Sequence, residues 1–565
     1  MNLAVFACKV AAVSVSTPGV AIWLSLLSGV LASCGQNARA GKDAAATSEG
    51  SPVTGASGAT LSTTGSSGTT GSVGATSSDV TASAASTTGR VGTTGSSDGP
   101  SVTGSVGTTG APDSTTGSGG SGGVGVTSSV SGSGGSGGSG GVGGSGGSPT
   151  TVSFKPRVIH TTDIGFDPDD QETMVRQMAM ADWFDIEGLI VTTGCWNKSQ
   201  SNTDLLDTIV DAYGEVVANL QLHDPEFPSA EYLHSISVLG QTGYGMGDVG
   251  EGKDSPGSEL IIAAVDKDDP RPVWATCWGG CNTIAQAIWK VQNTRSAEEL
   301  AHFISKLRVY DILGQDDAGT WIAKTFPDML YIRATEVYEW QPTESWVAEH
   351  VRSQGALGAV YPEKEWDYEG DTPAIFHLIP NGLHDPDHVE QGGWGGHFAR
   401  EKQTGVRGMS CMEGEDAPYD PYGMHNESSE SIARWKDAIQ NDFEARMDWS
   451  VTSSYTDANH HPIAIVNDDT SRQVLEVSAA AGSSVELDAE GSSDPDGNDL
   501  AYSWWVFEEA SSYSGSVEIQ GNASATATLQ VPAGSAGQNI HVILELSDNG
   551  SPSLTAYRRV IVQVQ

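Results

Sequence analysis

Basic side chains are scarce in this chain: 28 Lys and Arg stand against 71 Asp and Glu over 565 residues, a formal net charge of −43. Such a balance repels a phosphate backbone and excludes nucleic acid as the partner. Cysteine is also sparse. Of six, Cys8 and Cys34 lie near the N-terminus, leaving Cys195, Cys277, Cys281 and Cys411, whose spacing matches no zinc site and discloses no pairing. Large apolar side chains are almost missing from about residue 41 to 151, where TTGSSG, GSVGTTG and SGGSGG recur. That stretch cannot build a core, and its units are too small and polar to stack as a solenoid. Residues 35–152 are expected to be a flexible tether, with a mean span of roughly 50 to 60 Å for about 110 residues.

The chain begins with a short apolar segment. Lys9 is the only charge before the run GVAIWLSLLSGVLA at 19–32, followed by Ser33 and Cys34. An apolar run of this length ending in small residues reads as an export signal rather than a membrane span. LASC resembles the bacterial lipobox, which implies residues 1–34 as a lipoprotein-type signal and a lipid on Cys34. The expected location is the bacterial cell envelope, at the outer membrane or cell surface, with the globular part held away from it.

Residues 153–455 alternate apolar strands with amphipathic helices. Strands are expected at 158–162, 186–193, 273–277, 307–313 and 329–334, and helices starting near Asp169, Asp204, Asn282, Ala318 and Thr343. This alternation predicts an α/β fold: a mainly parallel sheet with helices on both faces. A helix over 170–184 places Met174, Val175, Met178 and Ala179 on one face, a core stripe. From 460 to 565, short strands separated by turn clusters predict an immunoglobulin-like sandwich of about seven strands. Asp494, Asp496 and Asp548 lie in its turns, where Asx chemistry explains them. Trp504 and Trp505 cannot both point inward from one strand, so one must be exposed or covered by the neighbouring domain.

The chemistry concentrates at 158–170, VIHTTDIGFDPDD, where Asp163, Asp167, Asp169 and Asp170 put four carboxylates within eight residues. They read as an oxygen-only site for a hard cation such as Ca²⁺ or Mg²⁺ where a strand turns into a helix. The competing reading is N-terminal capping by Asp167 or Asp169. Later loops offer Trp196 and Asn197, then Asn282 behind paired glycines, then Asp316 and Asp317 at another helix start. A long irregular stretch follows with Asp371, His377, Asn381, His384, Asp385 and Trp394, a density that suggests a site wall. Trp394, between glycine pairs, is a candidate sugar-stacking ring; the alternative is a buried tryptophan in a turn.

These residues resemble a known family. TTDIGFDPDD is similar to the N-terminal aspartate signature of the inosine/uridine-preferring nucleoside hydrolases, and WGGCNTIAQAI to that family's second metal loop. A bacterial branch of secreted nucleoside-hydrolase-like proteins, often labelled cellulose-binding, resembles residues 155–565 more closely through TTDIG, DPDDQ, WGG, QDDAG, GDTP, IPNG and GGWGG in that order. The resemblance implies a nucleoside-hydrolase-type sheet and Ca²⁺ held by Asp163, Asp170, the main-chain carbonyl of Asn282, and Asp371, which fits better at a helix start after a strand-like approach, with Asp385 in HDP as the competing candidate. It implies Asp163 as general base, Asp169 on ribose hydroxyls with Asp167 as its competitor, and Asn197 on the sugar. The loop around Asp167 is two residues longer than the family pattern, and GPLTN reads GGCNT here. The segment SSDPDGNDLAYSWW resembles polycystic-kidney-disease-type modules. The expected function is calcium-dependent hydrolysis of a glycosidic bond in a nucleoside or related sugar compound. Alternatives are a non-catalytic cellulose- or polysaccharide-binding surface protein, and purely structural metal binding. His377, His384 and His388 are candidates for the leaving-group acid.

Overall fold

β-Branched runs flanked by polar turns form the central layer, and the amphipathic segments between them return across its faces. The structure is a computed structural model, and it describes residues 155–166, 168–199, 201–364, 368–399, 423 and 430–565. The signal, Cys34, the tether, Asp167 and Cys411 lie outside the described residues. In chain order the first elements are β1 (Arg157–Thr162), α1 (Asp169–Ala179), β2 (Asp185–Val191), α2 (Thr203–His223), α3 (Ala230–Ile236) and β3 (Ser237–Leu239). There follow α4 (Pro256–Val265), β4 (Val273–Cys277), α5 (Asn282–Thr294), α6 (Ala297–Ser305), β5 (Leu307–Ile312), α7 (Asp317–Thr325) and β6 (Tyr331–Ala334). The remaining helices are α8 (Glu344–His350), α9 (Gly355–Ala359), α10 (Pro373–Phe376), α11 (Glu430–Ala433) and α12 (Lys436–Val451).

The sheet is parallel throughout, in the order β3-β2-β1-β4-β5-β6. The chain winds outward in one direction from β1 and then in the other from β4, so the switch point lies between these two strands. Helices meeting there diverge and leave a crevice beyond the carboxyl ends of the strands. The expected parallel α/β sheet is therefore present, with β3 as an unanticipated edge strand. The helix expected over 170–184 ends at Ala179, and a 3₁₀ turn at Ala181–Trp183 follows. Met174, Val175, Met178 and Ala179 are fully buried, as their spacing predicts.

The C-terminal part is a sandwich of a three-stranded and a four-stranded sheet, built from β7 (Leu475–Ala479), β8 (Ser484–Asp488), β9 (Ala501–Val506), β10 (Glu518–Gln520), β11 (Thr526–Gln530), β12 (Asn539–Ser547) and β13 (Thr555–Val564). Trp504 points into the sandwich core, where its indole N–H donates to the Ser524 carbonyl at 3.0 Å. Trp505 faces the other way and packs beside Trp435, with ring centroids 6.0 Å apart. Phe507, Ile543 and Tyr557 join the same cluster as the α/β core, so the outer face of the four-stranded sheet is covered by the α/β part. Asp494 accepts the backbone N–H groups of Asp496 and Asn498, and Asp548 those of Gly550 and Leu554, which is the Asx chemistry expected of these turns.

Candidate functional site

Six buried residues of β1 deliver Asp163 to the switch point. Its carboxylate lies between the loops that leave β2 and β4. A Cβ at Gly194 would stand 2.2 Å from Oδ2 and one at Gly279 2.3 Å from Oδ1, so a larger residue at either position would displace the carboxylate. Those loops are tied down. Trp278 N–H donates to Thr161 O at 2.8 Å, Gly280 N–H to Thr193 O at 3.0 Å, and a Cys277–Cys281 disulfide closes the turn between them. Asn197, only 6% exposed, donates its amide to the main-chain carbonyl of Asp163 at 3.0 Å. It fixes the base of the aspartate loop through the backbone.

Asp169 and Asp170 open α1. The residue before them, Pro168, makes no side-chain cap bond. Asp170 is buried and accepts the hydroxyl of Thr162, whose oxygen in turn accepts Ile164 N–H at 3.1 Å. Asp169 is half-buried and accepts Asp170 N–H at 3.1 Å. The third acid comes from far along the chain. Asp371 follows Glu369, and Glu369 is clasped by Arg176 of α1 through both of its carboxylate oxygens. Tyr361 and Thr372 also donate to Glu369, at 2.8 and 3.0 Å, and Glu369 N–H donates to Glu172 at 2.8 Å. This network sets Asp371 against the start of α1.

Asp169, Asp170 and Asp371 consequently offer oxygen atoms that all lie within 4.8 Å of one another. Like charges at that separation repel by about 3 to 4 kcal/mol per pair at an effective dielectric near 20. Three hard oxygen donors on rigid elements fit a divalent cation of the Ca²⁺ or Mg²⁺ kind, which offsets that repulsion. Asp163 stands outside this trio, and Asp385 does not join it. Asp385 is exposed, and its carboxylate accepts Asp387 N–H at 3.0 Å within its own turn.

Comparison with known proteins agrees with this fold. The family model for the cellulose-binding Sde182 nucleoside hydrolase-like domain matches residues 157–398, and that for the C-terminal domain of cellulose-binding protein Sde0182 matches residues 484–564. A solved nucleoside hydrolase-related hypothetical protein from Saccharophagus degradans, described as associated with carbohydrate metabolism, is 60% identical. The match covers 73% of this chain and all of that one, with a TM-score of 0.71. The chain belongs to the Sde182 family. Two more distant structures are the type III effector XopQ complexed with adenosine diphosphate ribose (11% identity, 54% of this chain and 96% of that one, TM-score 0.32) and the PKD domain of the KIAA 1837 protein (20%, 16% and 79%, TM-score 0.13). No curated protein matches.

Within this Sde182-type fold several expected site residues have other surroundings. Asn282 is the first residue of α5. Its side chain bridges Thr192, Thr193 and the Gly243 carbonyl. Trp394 is a correction to the stacking expectation. It is 1% exposed, with Phe376 and Tyr557 set edge-on to it at 6.1 Å, so it belongs to the joint with the sandwich and presents no face to a sugar. His377 and His384 are buried as well. Burial holds the His377 imidazole down at about 4 and His384 well below the usual histidine range, which disfavours the protonated form of both. His388 is half-exposed beside Glu390.

Asp316 carries a signal that the sequence left ambiguous. One carboxylate oxygen caps α7, accepting Ala318 and Gly319 N–H at 3.1 Å. The other is buried against the backbone of Gly280 and Cys281. Burial pushes the group up to about 7 from 3.8, helped by Asp311 and Asp317 and opposed by the Gly319 and Cys281 amides. A carboxyl raised in the folded state contributes stability that is whole below pH 4 and is lost as the pH climbs to about 7. The ceiling is about 4 kcal/mol at 1.36 kcal/mol per unit. Asp316→Asn keeps the capping oxygen and removes the charge. It is expected to raise unfolding stability at pH 8 by about 1 to 3 kcal/mol, with the gain shrinking toward pH 4. Urea titrations at both pH values check this, and an equal effect at both would rule it out.

Proposed function

We propose that the chain is a calcium-dependent hydrolase of glycosidic bonds in N-ribosyl or related sugar compounds, held at the bacterial envelope by a lipid on Cys34 and the tether of residues 35–152. The observation that carries this reading is the meeting of Asp169, Asp170 and Asp371 within 4.8 Å, beside Asp163 at the switch point of a parallel sheet. A calcium ion held by the trio would supply Lewis acidity, lowering the pKa of water in the crevice. Asp163 takes up the proton of the attacking water at its carboxylate, which the loops of Gly194 and Gly279 keep in one orientation. Asp169, the most exposed of the trio, orients sugar hydroxyls. The field of the four acids stabilises the positive charge that develops on the sugar as the bond to the leaving group breaks.

A second reading, polysaccharide binding without turnover, draws on the cellulose-binding description of both matching family models. One experiment separates the two: sugar release from nucleosides and oligosaccharides, with and without chelator, for the wild type, Asp163→Ala and Asp371→Asn. Chelator is expected to stop release. Asp371→Asn should weaken calcium binding by about tenfold or more, and Asp163→Ala should lose release while still binding calcium. Release that ignores chelator, or no release beside intact cellulose pull-down, would sink the hydrolase reading.

A further inference from the structure

Two large aromatic rings stand in solvent on the loops that leave β1 and β2, close along the chain to Asp163 and to Asn197, which binds the Asp163 carbonyl. Phe166 is 56% exposed and Trp196 46% exposed, their ring centroids lie 6.3 Å apart, and their planes are within 18° of parallel. Single exposed aromatics are ordinary, but a stacked pair is a contiguous apolar surface left unburied at a functional position. Their placement is enforced by the backbone. Phe166 follows Asp163 and Ile164 on the loop that leaves β1, and Trp196 sits at the tip of the turn closed by Gly194 N–H to Asn197 O at 3.1 Å. Asn197 ties this turn to the Asp163 carbonyl, and Asn202 ties the start of α2 to the Ile164 carbonyl at 2.9 Å. The two rings are thus held on the same loops that position the acids.

We propose that Phe166 and Trp196 form a stacking subsite at the mouth of the acidic crevice for a neutral β-linked gluco-oligosaccharide. The inference rests on the reading of that crevice as a sugar site and names the class of sugar compound it takes. Pyranose rings with equatorial substituents expose flat C–H faces, and the negative face of an aromatic ring attracts those polarised hydrogens. The carboxylates of Asp163, Asp169, Asp170 and Asp371 repel phosphorylated or carboxylated ligands, so the ligand is uncharged. About half of the surface of each residue is open to solvent. That suits a chain several sugars long, which enters the acidic trio at one end and lies across the rim with the rest. A nucleoside, one sugar and one base, ends before it covers such a rim.

The test is isothermal titration of the full chain with cellohexaose and, separately, inosine, for wild type, Phe166→Ala, Trp196→Ala, the double variant, and Leu222→Ala as an exposed apolar control on α2. Each single aromatic variant is expected to weaken cellohexaose binding by roughly tenfold, while its calcium affinity and the behaviour of Leu222→Ala stay at wild-type values. Wild-type affinity in the double variant overturns the subsite. So does a wild type that binds inosine but not cellohexaose, or loss of inosine binding alone in the double variant. The hydrolase reading fails differently: cellohexaose binding remains sensitive to Trp196→Ala, yet no substrate is cleaved and chelator changes nothing.

Discussion

Arg176→Met is expected to lower unfolding stability by about 3 to 5 kcal/mol, because it strands a carboxylate that has no route to water. Arg176 and Glu369 are both fully buried, and the guanidinium meets both carboxylate oxygens while lying 3.9 Å from the centre of the Phe443 ring. Methionine replaces much of the packing volume but none of the charge. The double variant Arg176→Met/Glu369→Gln is expected to recover part of the loss, since it removes the orphaned charge, and the two changes should be clearly non-additive. The same variant reaches the candidate site. Glu369 stands two positions before Asp371, and Thr372, which donates to Glu369, also meets Thr173 of α1 at 2.9 Å. Loosening that loop is expected to weaken calcium binding by about tenfold to a hundredfold, the range for groups that orient metal ligands without touching the ion. Urea unfolding and calcium titration provide the two readouts. Wild-type calcium affinity in a folded Arg176→Met protein would show that the clasp does not set Asp371.

Much of this arrangement can be read from local pattern. Alternating β-branched runs and amphipathic segments suffice for β1, β2, β4, β5 and β6 of the parallel sheet, whose residues are nearly all buried, but not for the half-buried edge strand β3. The acids at 163–170 stand out because their density exceeds what capping needs. Legibility ends where contacts join distant segments. Only a helix start after a strand-like approach favours Asp371 over Asp385 in sequence; what sets Asp371 in place is that Glu369 finds Arg176 across 193 positions. Arg176 itself reads as an ordinary solvent-facing helix residue. Trp394 misleads for a related reason: glycine pairs suggest an open ring, whereas the partner that buries it, Tyr557, lies in the C-terminal sandwich. α12 is hidden likewise, because its buried positions include Gln440, Asp442 and Arg446, and buried charges erase the apolar period on which helix recognition depends. The 3₁₀ turn after α1 has no sequence marker, yet it carries Asp182 beneath that same Arg446.

Arg446→Ala is expected to be the most destabilising single change away from the candidate site. The guanidinium is fully buried. It donates to Asp182 at 2.5 Å, to Asp442 at 3.1 Å and to the Ala179 carbonyl at 3.1 Å, and it lies between the rings of Trp183 and Trp449 at 4.3 and 5.1 Å. One side chain thus fastens the end of α1 and its 3₁₀ turn to α12. Removing it leaves two buried carboxylates without their shared cation, together with a cavity between two indoles, at a cost of about 3 to 5 kcal/mol or more. The pH dependence has a definite sign. Burial drives Asp182 upward and Arg446 pulls it down, so without the arginine Asp182 rises further, while His461 at 2.8 Å still faces Asp442. A carboxyl raised in the folded state loses its stabilising contribution as pH increases. Arg446→Ala should therefore fall further below wild type at pH 8 than at pH 5, when both are followed by urea unfolding. A deficit that is equal at the two values, or larger at pH 5, would mean that the lost packing against Trp183 and Trp449 outweighs the charges. Arg446→Met, which restores the packing alone, would then recover nearly all of the stability; under the charge reading it recovers little at pH 8.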